Sequence, residues 1–193
     1  MANLQTRVVN ILKDPKSEWP VIAAESTDIG RLYREYIIPL SAIPVIAGFI
    51  GMMWVGSVLV TSGLMWWLGF YIASYVIGLV GLYIDAVVIE WLAPKFKSSG
   101  TRVDALKVVA YSMTPVWIAG ILQLVPVLGL LSIFAAIYAI YLCYLGLPHV
   151  MKTPQDQVVI FMIVSAVVII IVQMVLGYIL GVIMLGGAFT MMR

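Results

Sequence analysis

The sequence predicts an all-α polytopic membrane protein, with five transmembrane helices behind a short amphipathic arm. Of its 193 residues, 63% are hydrophobic and only 10% are charged, and the mean hydropathy is +1.10. Because a soluble domain has about 25% charged residues, this chain cannot cover itself with a water-soluble surface. Its basic residues fall in segments that share one side of the predicted helices, and this distribution sets their order across the membrane.

Residues 1–36 form the predicted cytoplasmic arm. Leu4, Val8 and Ile11 recur at near-helical spacing and predict a short amphipathic helix that ends near Pro15. A second apolar patch surrounds Trp19. Both pieces either lie in the lipid headgroup region or pack over the cytoplasmic ends of the helices, and the two interpretations are compatible. Since acidic residues offset the basic ones, apolar contact is expected to dominate the docking of this arm.

Five apolar stretches are each near or above the roughly 20 residues that a helix needs to cross hydrocarbon. They are residues 37–59, 66–91, 105–124, 127–147 and 158–185. Between the third stretch and the fourth, only Gln123, Pro126 and Gly129 interrupt the apolar character. A tight hairpin at Val125 and Pro126 is favoured, because one continuous helix would be about twice as long as a bilayer accommodates. Residues 37–193 are therefore expected to form a single five-helix domain.

Ten of the eleven Lys and Arg residues lie on one side of this arrangement. They are Arg7, Lys13, Lys16, Arg31, Arg34, Lys95, Lys97, Arg102, Lys107 and Lys152. The turns at residues 60–65 and 123–126 carry no charge, and the opposite side has only Arg193. The positive-inside rule therefore predicts a cytoplasmic N-terminus and an external C-terminus in the plasma membrane, which is the inner membrane of a bacterium.

Four segments, in order along the chain, resemble the short bacterial members of the Yip1 domain family. They are residues 11–19, 43–51, 107–115, and 141–148 leading to 152–154. The more specific pieces are Tyr-Ser-x-Thr-Pro from Tyr111 and Tyr-Leu-Gly-Leu-Pro from Tyr144. The resemblance implies five spans and a cytoplasmic N-terminus, and it supplies no catalytic residues. Eukaryotic members resemble trafficking factors that contact Rab-type GTPases through a hydrophilic N-terminal region longer than the about 35 residues found here.

Two acidic residues lie inside the second apolar stretch. Asp85 is about six residues, or roughly 9 Å, from its cytoplasmic end. A charge at mid-helix costs about 2.5–3.5 kcal/mol on insertion scales, so we expect a partner or water beside it. Glu90 lies at the interface. Because five residues turn a helix by about 500°, the two carboxylates point about 140° apart, which disfavours a shared metal or proton.

The third helix offers candidate partners for these acids. If the second and third helices form an antiparallel hairpin, Glu90 comes level with Lys107. In the same arrangement Asp85 comes level with Tyr111 or Ser112. The spacing of Lys107, Tyr111 and Thr114 predicts a polar stripe. Asp85 is interpreted as a hydrogen-bonded tie between helices, as a cation or proton site facing the cytoplasm, or as a partner contact. The candidate intramembrane polar site comprises Asp85, Glu90, Lys107, Tyr111, Ser112 and Thr114.

Small residues four positions apart predict close helix packing. They are Gly69 with Ala73, Ser74 with Gly78, and Gly177 with Gly181. Packing within the molecule is favoured over a dimer face. Gln173 precedes Gly177 by one turn, and Ser165 lies near the same side. We therefore expect the fifth helix to make hydrogen bonds across this contact.

Signatures of catalysis are missing from the sequence. His149 belongs to no metal-binding motif, Cys143 is the only cysteine, and no Walker loop or dinucleotide fingerprint occurs. No cofactor, metal or nucleic acid is expected. The leading hypothesis is a non-enzymatic membrane protein that organises other membrane components, with lipids, a membrane protein or a second copy as partners. A small transporter, channel or lipid-moving protein that uses Asp85 is the alternative, and an intramembrane enzyme ranks last.

Overall fold

The computed structural model describes residues 3–54 and 63–191, and every regular element within these ranges is helical. The arm consists of α1 (Leu4–Lys13) and α2 (Pro15–Ala24). Asp14 separates them: its backbone N–H closes α1 on the carbonyl of Asn10, and its carboxylate accepts the backbone N–H of Ser17 to begin α2. Pro15 suits the first turn of α2, because an amide there would have no partner within the helix.

The first span begins earlier than predicted. The carboxylate of Asp28 accepts the backbone N–H of Arg31 at 2.9 Å and starts α3 (Ile29–Leu32). A π-helical turn at Tyr33–Ile37 then leads into α4 (Ile38–Trp54). The apolar span therefore covers Ile29–Met53. The predicted end of this span, and half of the turn predicted at residues 60–65, lie outside the described residues.

The other helices complete the five predicted spans. They are α5 (Leu64–Leu92), α6 (Arg102–Ser112), α7 (Thr114–Ala119), α8 (Ser132–Val150) and α9 (Gln155–Met191). The third span, Arg102–Leu124, consists of α6, α7 and the 3-10 turn Gly120–Leu124. It is broken between α6 and α7, where Pro115 lies in the first turn of α7. The predicted hairpin is confirmed, because Val125 has extended backbone between two 3-10 turns. The five candidate spans establish an all-α polytopic membrane fold.

The arm packs onto one end of the bundle. Ile11, Trp19 and Ile22 are completely or almost completely buried. The ring of Trp19 meets the ring of Tyr111 edge-on at 6.3 Å, and it fills a notch at Gly146 where an added Cβ would lie 2.7 Å from the indole. The arm therefore packs over the helix ends, which is one of the two compatible modes predicted for it.

Two loops close the same end beside the arm. The hydroxyl of Ser98 donates to that of Thr153 at 2.8 Å, and the backbone N–H of Ser99 donates to the carbonyl of Met151 at 3.0 Å. We call this end, formed by the arm, by residues 93–102 and by the loop at 151–154, the basic end. It gathers the basic residues that the sequence assigned to one side of the membrane.

Close backbone approach occurs at other glycines than those predicted. An added Cβ at Gly120 would lie 2.5 Å from Pro44 Cβ, so the first and third spans meet there. At Gly69, Gly78, Gly177 and Gly181, an added Cβ would meet nothing within 4 Å among the described residues. Ser74, the predicted packing partner of Gly78, follows Ala73 in α5. Its hydroxyl donates to the carbonyl of Phe70 within the same helix. Tight packing inside the described molecule therefore does not use these four glycines.

Candidate functional site

Asp85 is held by the fifth span and not by the third. It lies seven residues before the end of α5, about 10 Å along the axis, and is 7% exposed. Gln173 of α9 donates its Nε2 group to both carboxylate oxygens, at 3.1 and 3.0 Å. The predicted placement beside Tyr111 is wrong because Asp85 faces α9. Gln173 makes an interhelical hydrogen bond as predicted, but it does so with Asp85 and not at a close contact at Gly177, where an added Cβ would meet nothing within 4 Å among the described residues.

Glu90 pairs with a different basic residue from the one predicted. Arg102 donates its Nε group to Glu90 Oε2 at 2.7 Å and a second N–H to the hydroxyl of Tyr83 at 3.1 Å. Lys107 lies five residues after Arg102 and so points about 140° away from it around the helix. For the same reason Glu90 faces α6 while Asp85, also five residues away, faces α9.

Lys107 is turned towards the arm. Its side chain is 4% exposed in α6, and its Nζ donates to the backbone carbonyl of Glu25 at 2.7 Å. The carboxylate of Asp104 lies 3.8 Å away, one helical turn earlier. A hydrogen bond from an ammonium to a carbonyl at the end of α2 ties the arm to the third span.

Arg7 forms a buried charge network with the arm's own acids. Arg7 is 2% exposed, and its guanidinium contacts the carboxylates of both Glu18 and Glu25. Asn10 also donates to Glu18, at 3.1 Å, and the guanidinium lies 5.7 Å from the centre of the Tyr111 ring. We call Arg7, Glu18, Glu25 and Lys107 the arm network. Buried charges of this kind require partners, so the network favours one docked position for the arm.

The arm network was not predicted from the sequence, where the acids of the arm were expected only to offset its basic residues. A signal was available: Leu4, Arg7 and Ile11 follow the helical spacing i, i+3, i+7, which places Arg7 within the apolar stripe of α1. An arginine in such a stripe is expected to be buried against an acid. The partners could not be chosen from the sequence, because Glu18 lies on a separate helix.

The remaining residues of the predicted polar stripe are packed in the core. The hydroxyls of Tyr36 and Thr114 are 2.6 Å apart, and Thr114 also donates to the carbonyl of Tyr111 at 2.7 Å. The rings of Tyr36 and Tyr111 lie 4.5 Å apart. Ser112 is buried, with its hydroxyl beside Cys143. The stripe thus joins helices, and its members do not converge on Asp85.

The described ranges hold no group of three or more His, Cys, Asp and Glu side chains that could bind a metal ion. The candidate residues form hydrogen bonds and ion pairs that join the helices to one another and to the arm. Asp85 and Gln173 join the second and fifth spans, Glu90 and Arg102 join the second and third, and the arm network joins the arm to the third.

Five apolar helices with interhelical polar ties define a polytopic α-helical membrane protein. The Yip1 domain model matches residues 9–177, and the chain therefore belongs to the Yip1 domain family. The resemblance seen in the sequence is confirmed.

Two curated relatives agree with this assignment. The chain is 26% identical over 160 residues to the inner membrane protein YohC of Escherichia coli K12, an alignment that covers 79% of this chain and 82% of the relative. The figures are the same for the inner membrane protein YohC of Escherichia coli O6:H1. No solved structure matches this chain.

Proposed function

We propose that this Yip1-family protein is a non-enzymatic organiser of other membrane components, which it contacts through its docked arm and its lipid-facing helices. The observation that carries the proposal is that side chains of the polar stripe already have partners within the protein. Lys107 is occupied by the carbonyl of Glu25, and Thr114 is occupied by Tyr36 and Tyr111. The ammonium of Lys107 and the hydroxyl of Thr114, which would be needed to bind a passing solute, therefore hold the arm and the helices together.

The docked arm supplies a fixed surface for such contacts. Trp19 and Ile11 anchor its inner face, whereas Val9 and Val21 on its outer face are 46% and 53% exposed. A shallow depression beside Val21 is lined by Arg7, Pro20, Val21, Ala24 and Glu25. Apolar side chains held on a rigid element lose little entropy when a partner binds, which favours recognition.

We infer that the basic end faces the cytoplasm and that the chain lies in a bacterial inner membrane. Ten of the eleven basic residues support the orientation through the positive-inside rule. Both curated relatives are named inner membrane proteins, which supports a location in the inner membrane.

A transporter or channel that uses Asp85 is the second candidate. It is favoured by one observation, namely that a carboxylate lies within the second span and receives hydrogen bonds from one amide group. Charged side chains at such depth often mark ion or proton paths.

Flux across liposomes that contain the pure protein separates the two candidates. We expect ion, solute and lipid flux equal to that of empty liposomes for the wild type, for Asp85→Asn, and for the matched control Glu90→Gln. An organiser should also retain a membrane partner at fixed stoichiometry during mild purification. Wild-type flux that is abolished by Asp85→Asn and kept by Glu90→Gln would overturn the proposal in favour of the transporter.

A further inference from the structure

Several cations of the basic end have their charge balanced by the fold. Arg102 is paired with Glu90, Arg31 with Glu35, and Arg7 with its two acids. Among the described residues, the exposed cations with no ion pair are Lys13, Lys16, Arg34, Lys95, Lys97 and Lys152. Three of them lie in the two loops that close the second and fourth spans.

The contact between the loops brings the backbone positions of Lys97 and Lys152 to the same place in the fold. Lys97 and Lys152 are each next in sequence to one partner of the bond between Ser98 and Thr153. Both have left-handed backbone, with φ of 56° and 53°, which fixes each of them in the first turn beyond its helix. Lys95 lies two residues before Lys97, in the 3-10 turn that ends the second span.

An aromatic ring places this group at the membrane boundary. Trp91 is 62% exposed near the end of α5, and Lys95 Nζ lies 3.9 Å from the centre of its ring. Exposed Trp residues at the end of a span lie at the level of the lipid headgroups. An ammonium on the face of that ring is therefore at the depth of lipid phosphates.

The charge of the group remains positive when its acidic neighbour is included. Asp156 interacts electrostatically with Lys97, and it also accepts a hydrogen bond from Gln157 at 2.8 Å. Three lysines against one carboxylate leave a surplus of two positive charges. Such a surplus at headgroup depth complements an anionic phospholipid and not a zwitterionic one.

We propose that Lys95, Lys97 and Lys152, with Trp91, form a binding site for the headgroup of an anionic phospholipid. The lysines contact the phosphate, and the indole ring of Trp91 lies against the glycerol and the upper part of the acyl chain. The site requires only that the basic end meets a membrane surface, so it holds for either orientation of the protein and does not depend on the proposed function.

The test is a titration of the full-length protein in detergent with phosphatidylglycerol, with bound lipids counted by native mass spectrometry. Phosphatidylcholine with the same acyl chains is the comparator. A lysine near a charged membrane surface contributes about fivefold to binding, so K95Q/K97Q/K152Q should lose at least about tenfold in affinity for phosphatidylglycerol. The matched control K13Q/K16Q/R34Q removes three exposed charges from the same end and should stay within about twofold of the wild type. K95R/K97R/K152R, which keeps the charge, should stay within about threefold.

Each of the other outcomes would overturn the site. An equal loss in the control variant would show diffuse attraction to the whole basic end. Equal binding of the two lipids would show that no phosphate charge is recognised. Displacement of phosphatidylglycerol by excess inorganic phosphate would identify a free-anion site in place of a lipid site. Loss of binding in the arginine variant would show that charge is not what holds the lipid.

Discussion

Gln173 donates one side-chain amide group to both carboxylate oxygens of Asp85, at 3.1 and 3.0 Å, across the contact between the second and fifth spans. Asp85 is buried, whereas Gln173 lies at the lipid-facing edge of the contact. An acid within an apolar span thus acts as a tie between helices that are distant in the sequence. The stability of the bundle should depend on this amide.

Replacing Gln173 by Ala should destabilise the protein. Hydrogen bonds between membrane helices contribute about 0.6 kcal/mol on average and up to about 1.7 kcal/mol. Because the acceptor here is a carboxylate, we expect a loss of about 1–2 kcal/mol in the free energy of unfolding. Unfolding in detergent measures it, with the neighbouring and 70% exposed Met174→Ala as control. Equal stabilities for the two variants would contradict the tie.

Arg7 is expected to hold the arm in place. Arg7→Ala removes the guanidinium that Glu18 and Glu25 both contact, and breaking a buried ion pair costs about 3–5 kcal/mol. The arm should then be cleaved by protease at least about tenfold faster, while the spans remain folded. Lys13→Ala, an exposed change in the same helix, should cleave at the wild-type rate. Slow cleavage of Arg7→Ala would show that apolar contacts alone dock the arm.

Two glycine-to-alanine substitutions should change the free energy of unfolding in opposite directions. At Gly146 an added Cβ would lie 2.7 Å from the indole of the buried Trp19, so Gly146→Ala should lower the free energy of unfolding by about 1–3 kcal/mol. At Gly177 nothing described lies within 4 Å, and alanine should raise it by up to about 1 kcal/mol through helix propensity. Thermal unfolding of the two variants checks both. Strong destabilisation by Gly177→Ala would reveal a contact on that face of α9.

The orientation can be tested with reporters. A reporter fused after Arg193 should behave as external, and one inserted between Ser99 and Gly100 should behave as cytoplasmic, because the positive charges lie beside the latter position. Alkaline phosphatase is active only when it is external, whereas a fluorescent protein that folds only in the cytoplasm reports the opposite side. Comparing the two reporters at each position distinguishes the two sides. Cytoplasmic behaviour of the reporter after Arg193 would refute the orientation.

The five spans were predictable, because hydropathy and span length depend on local sequence alone, whereas the family was recognised from the resemblance of four short segments. The partner of Glu90 was partly predictable as well. The 140° between Glu90 and Asp85 already implied that only one of them could face α6, and the same angle separates Arg102 from Lys107. The angle that disfavours a shared metal site between Asp85 and Glu90 therefore also disfavours placing both acids against the third span.

The arm network and the close-packed glycines could not be derived in this way. Arg7 meets Glu18 and Lys107 meets Glu25 because α2 folds back on the bundle, and that depends on Trp19 fitting the notch at Gly146. Glycines spaced by four residues show where close approach is allowed. Which of them is used depends on how the helices are arranged, and that information is not local.

We propose that the protein organises other membrane components and does not transport ions, solutes or lipids. This depends on an arm that stays docked over the polar stripe. Hydrogen exchange of the full-length protein in lipid nanodiscs tests this most directly. The account predicts that backbone amides in α1 and α2 are protected to an extent comparable with those in α6, since Ile11, Trp19 and Lys107 are buried together. Exchange of the arm at the rate of an unstructured peptide would contradict it.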